Sequence, residues 1–384
     1  KSKKILYLCF MIRKTLLFLS SIALFTSCDN DLQIIADWKD VPVVYGILNA
    51  EDTVHYVKLN KAFLGQGDVM MMAQEFDSLY YNVEDVGLRL LEMEESNIPN
   101  QDFSINKVIE LVPTTDTTKL PGAFSSPTQI IYKTVEEINS NYFYTAEVYR
   151  KSNDTLIAYT QNPITIIKPV NITKPNSFSP LNITPNGYVP KVEWKSVAGA
   201  DLYELSMNFN YIEFPISGGD SVPRSIKLDF PTRLSNDSGG GQNMSYSLEF
   251  YQFLNFISSA ITQADDYDPS LRRLVVGMEG AQVVSGFAIS HACLDFTLYA
   301  AGEDLSTYLV LNQNTNSLVL DRPEYSNIEN GIGILSSRTY DIVESVKITN
   351  SSNDEISTNE ITKHLNFGYF QLNGDNEIEI SFGN

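Results

Sequence analysis

Short alternating runs of β-branched and aromatic residues, each closed by turn residues, limit the folds open to this chain more than anything else. Val43-Val44-Tyr45-Gly46-Ile47-Leu48 ends at the turn Asn49-Ala50-Glu51-Asp52. Val54, Tyr56, Lys58 and Asn60 then alternate with His55, Val57, Leu59 and Lys61. Side chains repeat every two residues along a strand, so each run offers one face to a core and one to water. Further runs cover 87–93, 103–112, 129–135, 142–150 and 155–167, and Lys151-Ser152-Asn153-Asp154 reads as a hairpin loop. About seven strands over roughly 140 residues predict a β-sandwich across 42–169.

The chain has 384 residues, too many for one ordinary domain. Lys168-Pro169, Lys174-Pro175, Pro180, Pro185 and Pro190 punctuate a stretch that reads as a proline-rich connector, 170–190. A second β domain follows over 191–384, with strands at 283–300, 333–348 and 377–382. Helical spacing interrupts it: Phe250, Phe253, Leu254, Ile257 and Ile261 share one face of a helix over Glu249–Thr262, and a shorter helix is predicted at Asp304–Leu311. In the first domain Val69, Met72, Phe76 and Leu79 also fall at helical spacing. The adjoining Met70-Met71-Met72 is read as packing on the sandwich, against the alternative of an adaptable recognition surface.

The N-terminus stands apart from the fold. Lys1, Lys3, Lys4, Arg13 and Lys14 form a basic segment, Leu16-Leu17-Phe18-Leu19 and Ile22-Ala23-Leu24-Phe25 a short apolar one, and Thr26-Ser27 precede Cys28. That order is a secretory leader over 1–27, and Met11-Ile12-Arg13-Lys14 already supplies a complete basic region. The apolar run is too short to cross a bilayer comfortably. Phe25-Thr26-Ser27-Cys28 resembles a bacterial lipobox with Phe in place of the usual Leu. The resemblance implies cleavage before Cys28, acylation of its thiol and amine, and attachment to the membrane through lipid. Asp29-Asn30-Asp31 resembles the surface-export signal of Bacteroidota lipoproteins, which makes 28–41 a lipidated acidic tether; a plain solvated tether is the alternative.

Two internal stretches carry resemblances of their own. Val192-Glu193-Trp194, a Gly199-Ala200 turn and Tyr203-Glu204-Leu205 resemble the opening of a fibronectin type III-like sandwich, with Trp194 filling the space between sheets. The fold expectation is therefore a mainly β chain of two β-sandwich domains of the immunoglobulin or fibronectin type III kind, the C-terminal one elaborated with short helices. Asn327-Ile328-Glu329-Asn330-Gly331-Ile332-Gly333-Ile334-Leu335 resembles a C-terminal signature of Bacteroidota outer-membrane lipoproteins of unknown function, with Leu335 where an aromatic is common. Such families often lie beside TonB-dependent transporters, which implies an outer-membrane location and an outer-membrane protein partner. Read from its residues alone, the same segment is an Asn/Gly-rich turn entering a buried strand.

Chemistry-bearing patterns are sparse. With 47 acidic against 27 basic residues and a net charge of −20, the chain would repel a phosphate backbone, which argues against nucleic acid. No G-x-S-x-G, H-E-x-x-H or P-loop pattern occurs. Cys293 stands two residues from His291 in an apolar strand and reads as a small buried hydrophobe, against the alternative of a nucleophile beside His291, for which no further orienting group is in view. His55, His291 and His364 are too scattered for a metal site; His55 is expected on a half-exposed strand face and His364 toward solvent. Asp265-Asp266-Tyr267-Asp268 lacks the order of a calcium loop, and Gly239-Gly240-Gly241 is a flexible turn without a following Lys-Ser/Thr. Trp38, Tyr80, Tyr81 and Tyr325 are candidate sugar-stacking rings, with core packing as the competing account.

These observations predict no cofactor and no catalytic residue. The expected role is a non-enzymatic binding or accessory subunit of an outer-membrane assembly such as a TonB-dependent transporter, lipid-anchored through Cys28 and facing the cell exterior. A lipid-anchored glycan hydrolase using a carboxylate pair, and an adhesive surface protein, are the alternatives.

Overall fold

The computed structural model describes residues 41–62, 69–98, 102–122, 124–217, 220–276, 292–313, 325–372 and 378–382. Cys28, Trp38 and His291 lie outside them, as do residues 1–27, where the sequence suggests a leader. In the first half, strands β1 (Pro42–Leu48), β2 (His55–Lys61), β3 (Val86–Glu95), β4 (Phe103–Glu110), β5 (Val112–Asp116), β6 (Gln129–Thr134), β7 (Phe143–Arg150), β8 (Thr155–Thr160) and β9 (Ile164–Thr165) enclose two short helices, α1 (Val69–Gln74) and α2 (Phe76–Leu79). The second half runs β10 (Ile172–Lys174), β11 (Lys191–Lys195), β12 (Ala200–Pro215), β13 (Val222–Asp229), β14 (Arg233–Leu234), β15 (Asn243–Ser247), α3 (Phe250–Thr262), β16 (Leu271–Val275), β17 (Ala292–Gly302), α4 (Glu303–Gln313), β18 (Ile328–Glu329), β19 (Ile332–Lys347), α5 (Asn350–Thr358), β20 (Gly368–Leu372) and β21 (Ile378–Phe382). The chain is mainly β.

The two halves share a sheet. Ten strands assemble with the main order β13-β12-β17-β19-β1-β2-β6-β5, while β14 and β16 pair with β12 off that path. The junction is the parallel pairing of β1 with β19, from Val43 opposite Ile332 to Leu48 opposite Ser337. The β1-β2-β6 part faces a second sheet, β18-β8-β7-β3-β4, with β9 beside β7. Alternate side chains fill the space between: Val44, Leu48, Val57, Leu59 and Tyr132 from one sheet, Leu88, Leu90, Tyr144, Ala146 and Val148 from the other. Ile328 and Leu335 join this core from far along the chain. The 327–335 segment thus completes the first sandwich.

The reason is local. The Asn327 side chain donates from Nδ2 to the Leu335 carbonyl (2.7 Å) and accepts at Oδ1 from the Leu335 N–H (2.9 Å). Its amide acts as one peptide unit of a missing strand beside β19, just where β17 no longer pairs. Asn330 takes a left-handed conformation (φ 56°) in the turn, and Gly333 has φ 120°, where a Cβ would run into the Val44 carbonyl. The motif is therefore a clamp, and a glycine is required where β19 meets β1.

The second core lies between the β12-β17-β19 part of the large sheet and a layer made of α3 and the three-stranded sheet β10-β11-β15. All five apolar residues predicted for one face of α3 are buried. Trp194 is fully buried against Tyr203 and Tyr246, with ring centroids 5.9 and 5.6 Å away. The 170–190 stretch also contributes: Val170, Ile172 and Ile183 are buried in this core, and Leu181 bridges to Ile348.

Candidate functional site

A groove of about 810 Å³ follows β15. Among the described residues this strand pairs only with β11, in register from Lys191 opposite Ser247 to Lys195 opposite Asn243. Its other edge therefore leaves alternate backbone N–H and C=O groups without a strand partner. Met244 and Tyr246 turn into the core, while Asn243, Ser245 and Ser247 alternate with them on the other face. The facing wall is the Phe230–Asn236 segment, held by β14 on β12. Gln242 braces the loop between the walls: its Oε1 accepts from Asn236 N (2.9 Å) and Ser235 Oγ (3.2 Å).

The polar groups in the groove are few and separate. The Arg233 guanidinium sits 4.4 Å from the centroid of the Tyr246 ring. The buried Tyr246 hydroxyl has no hydrogen-bond partner of good geometry among the described residues. Glu249 stands at the N-cap of α3 without a capping bond from its side chain. It is the one carboxylate among the residues lining the groove, whereas acid–base hydrolysis of a glycoside uses two. Glu249 and Gln252 also line a neighbouring cleft of about 530 Å³ under Thr184–Pro190. Pro190 links that cleft to a third, of about 400 Å³, where Tyr188 is 78% exposed and Lys174 pairs with Glu193 at 3.0 Å. The β15 groove thus joins an open strand edge to hydrogen-bonding groups and one charge of each sign, Arg233 and Glu249. That arrangement can hold an extended chain.

The residues singled out in the sequence are not brought together. Tyr80 and Tyr81 are buried, so neither ring offers a stacking platform. Tyr325 is partly buried, and its hydroxyl donates to Asp304 Oδ1 at 2.6 Å. Cys293 is fully buried, and burial pushes its thiol far above the ordinary thiol range, so it presents no thiolate. His364 is exposed on a 3-10 turn. His55 corrects the sequence reading: it is buried on the core face of β2 with Val57 and Leu59, not half-exposed, and neither ring nitrogen finds a partner among the described residues. Burial lowers its pKa, opposed by the charge of Asp52. The alternation itself places His55 on the Val57–Leu59 face. Its polarity, not its register, suggests exposure.

The methionine run is also a correction, since Met70 and Met71 are exposed rather than packed. In the acidic loop, Asp266 pairs with Arg224 (2.7 Å), and Asp268 Oδ1 accepts from Ser270 N and Oγ. Two buried carboxylates are committed to the fold. Glu92 accepts from Tyr144 Oη (2.6 Å) and Asn106 Nδ2 (2.5 Å). Glu213 binds Arg273, whose other donors reach the Leu365 and Asp268 carbonyls. The groove itself was not read from the sequence. The polar run Ser235–Gln242 beside an alternating five-residue strand was its only trace.

No family model and no curated protein matches this chain. A search of solved structures finds, among others, the C-terminal globular domain of an oligosaccharyltransferase from Pyrococcus abyssi. It is 10% identical, over 64% of this chain and 50% of that one, with a TM-score of 0.19. A superposition of that quality adds nothing to the fold described above.

Proposed function

We propose that this protein is a lipid-anchored outer-membrane protein that works without catalysis, as a binding or accessory subunit of a membrane assembly such as a TonB-dependent transporter. The anchor is Cys28, behind the leader, and the acidic stretch after it favours the outer face of the cell. The observation that carries the reading is the β15 edge, which no strand covers among the described residues, along a groove where Glu249 is the one carboxylate among the described lining residues. An exposed strand edge is a hazard unless something pairs with it, and pairing by strand addition is a recurrent mode of protein recognition. The occupant in this reading is an extended segment of a membrane partner.

Affinity purification from native membranes under gentle extraction, followed by mass spectrometry, tests the proposal. A stoichiometric outer-membrane protein is the expected companion. Recovery of the anchored chain alone would count against an accessory role.

A further inference from the structure

The outer face of the first sandwich, on the β1-β2-β6-β5 end of the large sheet, gathers cations in an acidic protein. Tyr45 stands opposite Lys58 across β1 and β2, and Tyr56 opposite Lys133 across β2 and β6. Their neighbours Val57 and Tyr132 point into the core, and Gly46 lies against Val57 and Leu335 there, so these four side chains share the other face. Lys133 also stands opposite Val112 on β5. Tyr56 is 54% exposed, Tyr45 42% and Val112 60%. Helices α1 and α2 and the loop after β5 border the patch: Asn60 Nδ2 donates to the Leu79 carbonyl, and Gln74 to that of Gly122. From that loop comes Lys119, whose Nζ donates to the Ser125 carbonyl and lies 5.7 Å from the ring centroid of Phe124. Burial first, and then the charge of Lys58, lowers the Lys119 pKa, so the two ammonium groups sense each other.

None of these three lysines has a carboxylate within ion-pair distance among the described residues. The nearby Asp116 is turned to Thr118 and to Gln129. In a chain with 47 acidic side chains, three unneutralised lysines on one face create a local positive field that concentrates anions. The two exposed tyrosines between them present flat apolar rings with a hydroxyl at the rim. We propose that this face docks an anionic polysaccharide, its carboxylates on Lys58, Lys119 and Lys133 and its sugar rings on Tyr45 and Tyr56. Charge alone would suit any polyanion. The interleaved rings point to one built of sugars.

Affinity electrophoresis of the full chain through gels containing polygalacturonate tests this. Retardation is expected at low salt, fading as salt screens the exposed lysines, and none with neutral dextran. Lys58→Ala with Lys133→Ala should weaken binding about tenfold, and Tyr56→Ala several-fold, at an unchanged melting temperature. Absence of retardation at low salt, or equal retardation of the lysine variant, would overturn the proposal. So would equal binding to polyglutamate, which has the charge without the rings. Tighter binding to phosphatidylglycerol vesicles would assign the face to a lipid surface. Self-association abolished by the same variants would assign it to a second copy. Either outcome also overturns the proposal.

Discussion

Replacing Asn327 by Ala should be among the most damaging single changes in this protein, although the side chain is small, polar and part of a turn. Asn327 satisfies both the N–H and the C=O of Leu335, at 2.9 and 2.7 Å, and Leu335 is fully buried. Alanine would leave two backbone groups buried without partners, each costing about 1–3 kcal/mol. Water could reach them only by opening the turn. That would loosen Ile328 in the sandwich core and the pairing of β18 with β8. The expected loss is therefore about 2–6 kcal/mol, a large part of the roughly 5–15 kcal/mol that holds a domain folded. Urea unfolding of the full chain, read by tryptophan fluorescence and circular dichroism, measures it. Asn327→Asp keeps the acceptor, removes the donor and adds a buried charge, so it should be no better than alanine. A loss below about 1 kcal/mol for Asn327→Ala would refute the clamp. The resemblance of this segment to a family signature would then need an explanation outside the fold.

Three other perturbations probe separate parts of the account. Trp194→Ala removes a fully buried ring packed on Tyr203 and Tyr246 and should cost about 3–5 kcal/mol in urea unfolding of the full chain; less than about 1 kcal/mol would contradict its core position. Burial lowers the folded-state pKa of His55 below its ordinary value of 6.5, so the unfolded chain takes up the proton first. Its contribution to stability is thus full above pH 6.5 and declines as the pH falls below that value toward the folded pKa. His55→Leu should flatten this part of the stability profile, and an unchanged slope in denaturation at pH 7.5, 6.5 and 5.5 would count against it. Cys28→Ser should release the protein from membranes and abolish fatty-acid labelling without lowering the melting temperature; continued labelling would remove the lipid assignment.

Much of the β architecture was legible because strand periodicity and burial are the same fact seen twice. The runs at 43–48, 87–93, 129–135 and 142–150 each contain or overlap an observed strand. The face of α3 was legible for the same reason, since five apolar residues at helical spacing have one way to bury together. The joining of the halves was not. The pairing of Val43–Leu48 with Ile332–Ser337 spans nearly the whole chain, and alternation within a strand says nothing about which strand lies beside it. The Asn327–Gly333 turn was recognisable as a turn, but its role as a clamp depends on Val44 and β8, which no local pattern reveals. Nor does the connector separate two independent bodies: its Ile172 and Ile183 belong to the second core, and the large sheet runs across both halves. The β15 groove was hidden for a related reason. An edge strand and a central strand of five residues look alike until their neighbours are known.

The most direct test of the central claim is photo-crosslinking from the groove in intact cells. A photoreactive residue replaces Ser245, on the open edge strand, and a second variant carries it at exposed Ile98 in the first half as a reference position. The account predicts one dominant adduct from position 245 to an outer-membrane protein, dependent on Cys28 and competed by extended peptides of that partner. Adducts of equal yield and variety from both positions, or an adduct that persists in the Cys28→Ser protein, would contradict it.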